Sequence, residues 1–331
     1  MDCRIKTGND EVTLLPCTKV DQHSAERHRS DMARQKQIKR KKNAINGWLV
    51  LDKPYGITSN EALGRIKRIF SPQKVGHAGT LDPRASGLLP VAFGEATKTV
   101  PFVMDGRKVY RFEVTWGAET NTDDTEGEVT ATSDLRPAAD GIATVLADFT
   151  GTIMQVPPKF SAIKVAGERA YDLARDGEEV ELEARPIDVH RLDLVDCPDN
   201  DRAGFEAECG KGTYVRALAR DLGRRLGTCG HVTELRRLLV GPFGEEDLVD
   251  FDDILEASEK RDEDEGVEAL VEEFVLPVRE AMDDLVEVPV SLDDAARIRK
   301  GMAVLLRGRE APLNTEVAFA SHASVPVAIG S

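Results

Sequence analysis

The stretch KVGHAGTLDPRASGLLPV, Lys74 to Val91, puts His77, Asp82 and Arg84 among small residues. Glycine and alanine leave little side chain in the way, so the backbone there can approach another molecule closely. Asp82 precedes Pro83, and a proline biases its predecessor away from helix. A carboxylate on such a stiff loop has two readings. It is a turn aspartate capping Arg84 or Ala85, or it is a nucleophile or base. His77 alone reads as a hydrogen-bonded structural residue as readily as a catalyst. Four residues elsewhere have matching chemistry. Tyr110 opens an alternating apolar segment and can present its ring to a base. Asp124 lies in the polar loop after that segment. Tyr214 and Arg216 begin an apolar-periodic stretch, and Arg216 can pair with a carboxylate. Core tyrosine, loop cap and surface ion pair are the plain alternatives.

Other catalytic templates fail. The chain has no G-x-S-x-G elbow, no G-x-x-x-x-G-K-[ST] phosphate loop and no H-E-x-x-H zinc helix. Cys3, Cys17, Cys197, Cys209 and Cys229 lack the spacing of a zinc site, and such a scattered set suits a reducing, cytoplasmic compartment. No metal or other cofactor is expected. No apolar run is long enough to span a membrane.

The elements that must position these residues can be read from patterning. INGWLVLDKP reads as a buried strand and turn. TSNEALGRIKRIF predicts a helix capped by Ser59, with Ala62, Leu63, Ile66 and Ile69 at helical spacing. In KVYRFEVTWG, Tyr110, Phe112, Val114 and Trp116 alternate with polar residues, as in a strand with one buried face. HRLDLVDC and GFEAECGKG predict two strands joined by PDNDRA. In TYVRALARDLGRRLG, Val215, Leu218, Leu222 and Leu226 share a helical face, and Gly227 can end the helix. PPKFSAIKVAGERAYDLARDG mixes a turn, a short strand and a helix start. A last short helix is expected from Asp293 to Lys300. With no regular βαβ order, the class is α+β: a mixed, mostly antiparallel central sheet flanked by helices.

The net charge is −15, which at first argues against a nucleic-acid partner. Between Glu245 and Glu287, however, 19 acidic residues face only Lys260, Arg261 and Arg279. This block reads as mostly solvated helix and carries the whole excess, so the remaining chain can present basic faces to phosphates. Residues 1–43 read as a basic tail, solubilising or phosphate-contacting, with Met32 an alternative start.

GWLVLDKPYGITSNEAL, KVGHAGTLDPRASGLLPVAFGEATK, YRFEVTWGAETNTDDTEG, PPKFSAIKVAGERAYDLAR and GTYVRALARDLG together resemble the TruB family of pseudouridine synthases, in that family's order. The likeness covers about residues 44–243 well and the C-terminal part weakly. It implies a pseudouridine synthase fold over 44–284 and a small β-rich PUA-like module over 285–331, either an abbreviated module or a truncated sequence. It also implies isomerisation of the T-loop uridine at position 55 of tRNA, with base flipping and no cofactor. Asp82 would be the essential aspartate, Arg216 its ion-pair partner and Asp124 the next member of the network. Tyr110 would stack on the base, Tyr214 and Leu235 would line the pocket, and His77 would fill space beside it. Lys53, with Pro54, would support the site. Lys67, Arg68, Lys74 and Arg84 would contact RNA phosphates. The chemistry has three open routes: attack on C1′ of the ribose, elimination, or attack on C6 of the base. In each, an arginine beside the acid favours its charged form. The partner implied is the T-arm of tRNA, with no membrane, no obligatory protein partner and a monomeric enzyme. A guide-RNA-dependent synthase and a non-catalytic RNA chaperone are the rival readings.

Overall fold

The structure is a computed structural model that describes residues 42–161, 163–165, 168–169, 182–260, 266–305 and 317–330. The basic tail up to Lys41, and most of the turn–strand–helix stretch after Ser161, lie outside these residues. The described chain opens with β1 (Gly47–Lys53), whose side chains are almost all buried. Next comes α1 (Ser59–Phe70), which buries Ala62, Ile66 and Phe70. The helix is capped by Thr58, not by Ser59: Thr58 accepts from the Glu61 amide, and the Glu61 carboxylate accepts from the Thr58 amide. This reciprocal pair satisfies two otherwise orphaned donors. Ser59 is released for a different task, described below.

β2 (Val75–His77), β3 (Ala85–Phe93), α2 (Val100–Asp105) and β4 (Lys108–Trp116) follow. β4 buries Phe112, Val114 and Trp116 on one face and exposes Arg111 on the other, as alternation predicts. β5 (Ala118–Thr120) and β6 (Val129–Thr132) form a hairpin around the polar loop. Then come α3 (Ala139–Val145), β7 (Gly151–Gln155), and the small pair β8 (Lys164–Val165) and β9 (Glu168–Arg169). β10 (Arg185–Asp196) and β11 (Arg202–Cys209) are the two expected strands. α4 (Val215–Arg225) ends at Gly227, whose φ of 75° is cheap only for glycine. β12 (Gly230–Val240) and β13 (Val249–Asp250) complete the main sheet.

That sheet runs β13-β1-β3-β12-β4-β11-β10-β7, with β2 also on β3. Two contacts are parallel, β1 with β13 and β3 with β12; the others are antiparallel. β12 is thus inserted between two strands that lie more than a hundred residues earlier. One core forms where α3 and α4 cover the β4–β11–β10 half, around Phe112, Trp116, Phe205 and Leu218. A second packs α1 on β1 and β3, around Leu49, Ile66, Phe70 and Phe93.

The acidic block joins the second core. α5 (Phe251–Lys260) buries Phe251 and Ile254, and α6 (Glu268–Phe274) buries Leu270. The carboxylates take the outer faces, so the segment is a pair of amphipathic helices rather than solvated helix throughout. Beyond it, β14 (Val286–Pro289), α7 (Leu292–Ile298), β15 (Ala318–His322) and β16 (Val325–Gly330) build a separate three-stranded sheet in the order β14-β15-β16. Among the described residues no helix is long and apolar enough to cross a membrane.

Candidate active site

The parallel pairing of β3 with β12 sets Leu235 beside Ala85, and the antiparallel pairing of β12 with β4 sets Leu235 opposite Phe112. Three sequence-distant segments therefore meet at one point of the sheet. Above it opens a cavity of about 320 Å³, lined by Asp82, Tyr110, Phe160, Tyr214, Arg216 and Leu235, among others. Asp82 and Arg216 also border a second, broader cleft with Asn121, Thr122 and Asp124.

The loop that carries Asp82 is pinned from below. The Ser59 hydroxyl donates to the Leu81 carbonyl at 2.9 Å and accepts from the Leu81 amide at 2.8 Å. The Pro83 carbonyl accepts from the Gly56 amide at 2.9 Å. The residues on both sides of Asp82 are thus held while its side chain stays part-exposed. This carboxylate is not a local cap: the Ala85 amide bonds the Asp82 carbonyl.

Arg216 stands in the first turn of α4, a helix whose start is fixed by the Gln155 side chain. Gln155 accepts from the Tyr214 amide at 3.0 Å and donates to the Tyr214 carbonyl at 3.2 Å. Arg216 is 6% exposed. Its Nε lies 3.0 Å from Asp82 Oδ2, and its Nη1 lies 3.3 Å from Asp124 Oδ2. Nη1 also donates to the Thr122 carbonyl at 2.8 Å, and Nη2 to the Phe160 carbonyl at 3.1 Å. A buried guanidinium with two carboxylates and two carbonyls has its donors directed and its charge balanced. Asp124 is itself held, accepting from Thr122 Oγ1 at 2.5 Å and from the Glu126 amide at 2.9 Å.

Lys53, at the end of β1, is fully buried and donates to the Pro54 and Ile57 carbonyls at 2.9 and 2.7 Å. Burial pulls its ammonium down to about 8, against the opposing pull of the Asp82 charge. His77 sits half-buried on β2, outside the lining of the cavity, and burial followed by the Arg237 charge lowers its imidazole. Arg84 is exposed at the rim. It donates to the Tyr55 hydroxyl at 2.9 Å, lies over the Tyr55 ring and faces Glu126 at 3.4 Å. Lys67 and Arg68 belong to the last turn of α1, the end away from Ser59, and Lys74 precedes β2. All three are exposed, and none of them lines the cavity.

Sequence reasoning did not single out Phe160, Arg220 or Arg237, and read Ser59 only as a helix cap. Arg220 lies one turn beyond Arg216 and holds Asp123 at 2.9 Å. Burial still pushes the Asp123 carboxyl up to about 6. Arg237 is 2% exposed and faces Tyr110 across the strands. Among the described residues, no three His, Cys, Asp or Glu side chains gather closely enough to hold a metal ion.

Comparison with known proteins places this arrangement. Residues 67–215 match the model of the TruB family pseudouridylate synthase N-terminal domain, and residues 216–283 match that of the tRNA pseudouridylate synthase B C-terminal domain. A tRNA pseudouridine synthase B of Bradyrhizobium diazoefficiens is 60% identical over 83% of this chain and 79% of its own length. One of Agrobacterium fabrum is 55% identical over 90% of this chain and 94% of its own. Among solved structures, a chain in a Cbf5–Nop10–Gar1 complex superposes with a TM-score of 0.68 at 28% identity, covering 86% of this chain and 77% of that one. The chain belongs to the TruB family of pseudouridylate synthases.

Proposed function

We propose that this enzyme isomerises the T-loop uridine of tRNA, position 55, to pseudouridine, with Asp82 acting at the glycosidic bond. One observation carries the reading: the carboxylate of Asp82 is paired with the buried Arg216 guanidinium at 3.0 Å, at the edge of a cavity walled by Tyr110, Phe160 and Tyr214. The cavity has room for one extruded nucleoside. Extrusion costs a few kcal/mol, offset by stacking on aromatic rings and by polar contacts. The reaction detaches N1 from the ribose, turns the base and rejoins it through C5. It consumes no electrons and no second substrate. Arg216, anchored on two carbonyls, keeps Asp82 aimed into the cavity as the base enters. Tyr110 lies under the base, and Arg84 at the rim holds a flanking phosphate.

The relatives of highest quoted identity are named for tRNA, whereas the two Cbf5 complexes match at 28% and 27%. This difference favours a free-standing tRNA enzyme over one that needs protein partners. The test is mass-spectrometric mapping of pseudouridine in a T-arm minihelix incubated with the purified chain alone. Wild type is expected to convert one uridine, and Asp82→Asn none. Ordinary turnover by Asp82→Asn would remove Asp82 from the chemistry. Conversion only after adding partner proteins would favour the guide-dependent reading.

A further inference from the structure

Arg237 is a buried cation without an acid. It lies on β12 as the cross-strand partner of Tyr110 on β4. Its Nε donates to the Leu88 carbonyl at 2.8 Å and its Nη2 to the Gly79 carbonyl at 3.1 Å. Among the described residues, no carboxylate forms an ion pair with it. Such a charge is costly to bury and is rarely kept without a task. The surrounding chain is shaped to keep it. Gly79, at φ 95°, would place a Cβ 3.3 Å from Arg237 Nη1, and Gly87, also at φ 95°, would place one 2.3 Å from the Arg237 carbonyl. Gly79 therefore leaves room for the Arg237 guanidinium, whereas Gly87 lets β3 close on the β12 backbone where it pairs with Arg237. As cross-strand partners on one face of the sheet, the guanidinium and the Tyr110 ring are neighbours, and Arg237 sets a positive charge beside the phenol.

We propose that Arg237 is a positioning residue for Tyr110, fixing the phenol in the wall of the cavity and balancing the negative charge of its phenolate. The inference rests on the cavity being the uridine site. There the phenolate takes the proton from C5 of the rejoined base. The C5–H bond breaks, its electron pair returns to the ring, and the proton ends on the phenol oxygen. Burial raises the Tyr110 ionisation, and Arg237 opposes that rise. The other titratable groups that face Tyr110 are the Cys209 thiol on β11 and the Asp82 carboxylate, both opposing its ionisation. Lys53, Lys108 and His77 lie around Arg237 and feel its charge. Loss of Arg237 therefore moves Tyr110 to a higher pKa.

The experiment compares wild type, Arg237→Gln and Arg237→Lys, each with and without Tyr110→Phe. Tyrosinate absorbance of the free protein is followed against pH, and the difference from the Tyr110→Phe partner isolates Tyr110. Single-turnover conversion of the T-arm minihelix is followed over the same range. Arg237→Gln is expected to move the Tyr110 titration to higher pH. It should also slow conversion about 10- to 100-fold with minihelix affinity unchanged. Arg237→Lys, which keeps the charge but not the fork, is expected to hold the titration near wild type and recover part of the rate. In the Tyr110→Phe background, neither change should slow conversion further. An unmoved titration, or equal losses with and without the phenol, would overturn the proposal. If Arg237→Gln does not fold, Arg237→Lys decides: a loss of rate that is the same with and without Tyr110→Phe would overturn the proposal. A wild-type chain that makes no pseudouridine counts against the functional reading instead, and the titration then judges the Arg237–Tyr110 pairing by itself.

Discussion

Replacing Lys53 by methionine removes a charge from a place where no water reaches it. The ammonium is fully buried at the end of β1, with two carbonyl acceptors and, among the described residues, no carboxylate in ion-pair contact. Its folded-state value falls from 10.5 to about 8, with burial as the main cause. Below pH 8 both folded and unfolded chains carry the proton, and the fold bears the full cost of the buried charge. Between about 8 and 10.5 the unfolded chain keeps the proton while the folded one releases it. The unfolded state then binds more protons, so this group makes stability rise with pH through that window. A fall of some 2.5 units corresponds to about 3 kcal/mol at 1.36 kcal/mol per unit. The assay is urea unfolding of wild type and Lys53→Met at several values between pH 7 and 10.5. The difference in unfolding free energy between the two proteins is expected to shift by about 3 kcal/mol in favour of wild type across the range. Other groups that titrate there, including Lys108, are common to both proteins and cancel. A difference that stays flat would refute the assignment of a charged, water-free Lys53. It would also remove the lysine as a source of positive potential near Asp82.

Further outcomes follow from the same geometry. Arg216→Met leaves the buried Asp124 without its cation; it should cost about 3–5 kcal/mol in urea unfolding and abolish conversion of the minihelix. Gly87→Ala forces a side chain against the Arg237 backbone at a positive φ, and should lower stability by about 2 kcal/mol or more. Thr58→Ala removes the cap of α1 and should cost about 1 kcal/mol, with a smaller effect on turnover, because Ser59 still pins Leu81. Arg84→Gln should weaken minihelix binding and flatten its dependence on salt by about one unit of the log–log slope, leaving single-turnover rate at saturation nearly unchanged. An unaltered salt slope would remove Arg84 from phosphate contact.

Much of this molecule is legible in the chain because local patterns dominate where one face is buried. The alternation of Phe112, Val114 and Trp116 specifies β4, and the Val215–Leu222 stripe specifies α4. The family motifs bring Asp82, Tyr110, Asp124, Tyr214, Arg216 and Leu235 to one region, where the structure gathers them around two adjoining openings. What was not legible depends on partners far along the chain. Arg237 looks like its neighbour Arg236 in LRRLLV, yet Arg236 pairs with the part-exposed Asp52 while Arg237 turns inward to Gly79 and Leu88. Only the register of three strands tells them apart. Ser59 reads as a cap by residue type, and the competing capping box at Thr58 and Glu61 frees it for Leu81. The acidic helices hide their few apolar residues under a charge count that composition alone treats as solvated.

The late insertion of β12 has a consequence for how the enzyme comes off the ribosome. When the chain has emerged only as far as Cys229, β3 and β4 have nothing between them, and the Asp82 loop and the Arg216 helix belong to halves that share no sheet. Eleven more residues, Gly230–Val240, knit the halves together. Pairings of such long sequence separation are slow to form. The candidate site is therefore among the last features to mature, its strands incomplete until nearly three-quarters of the polypeptide has been translated.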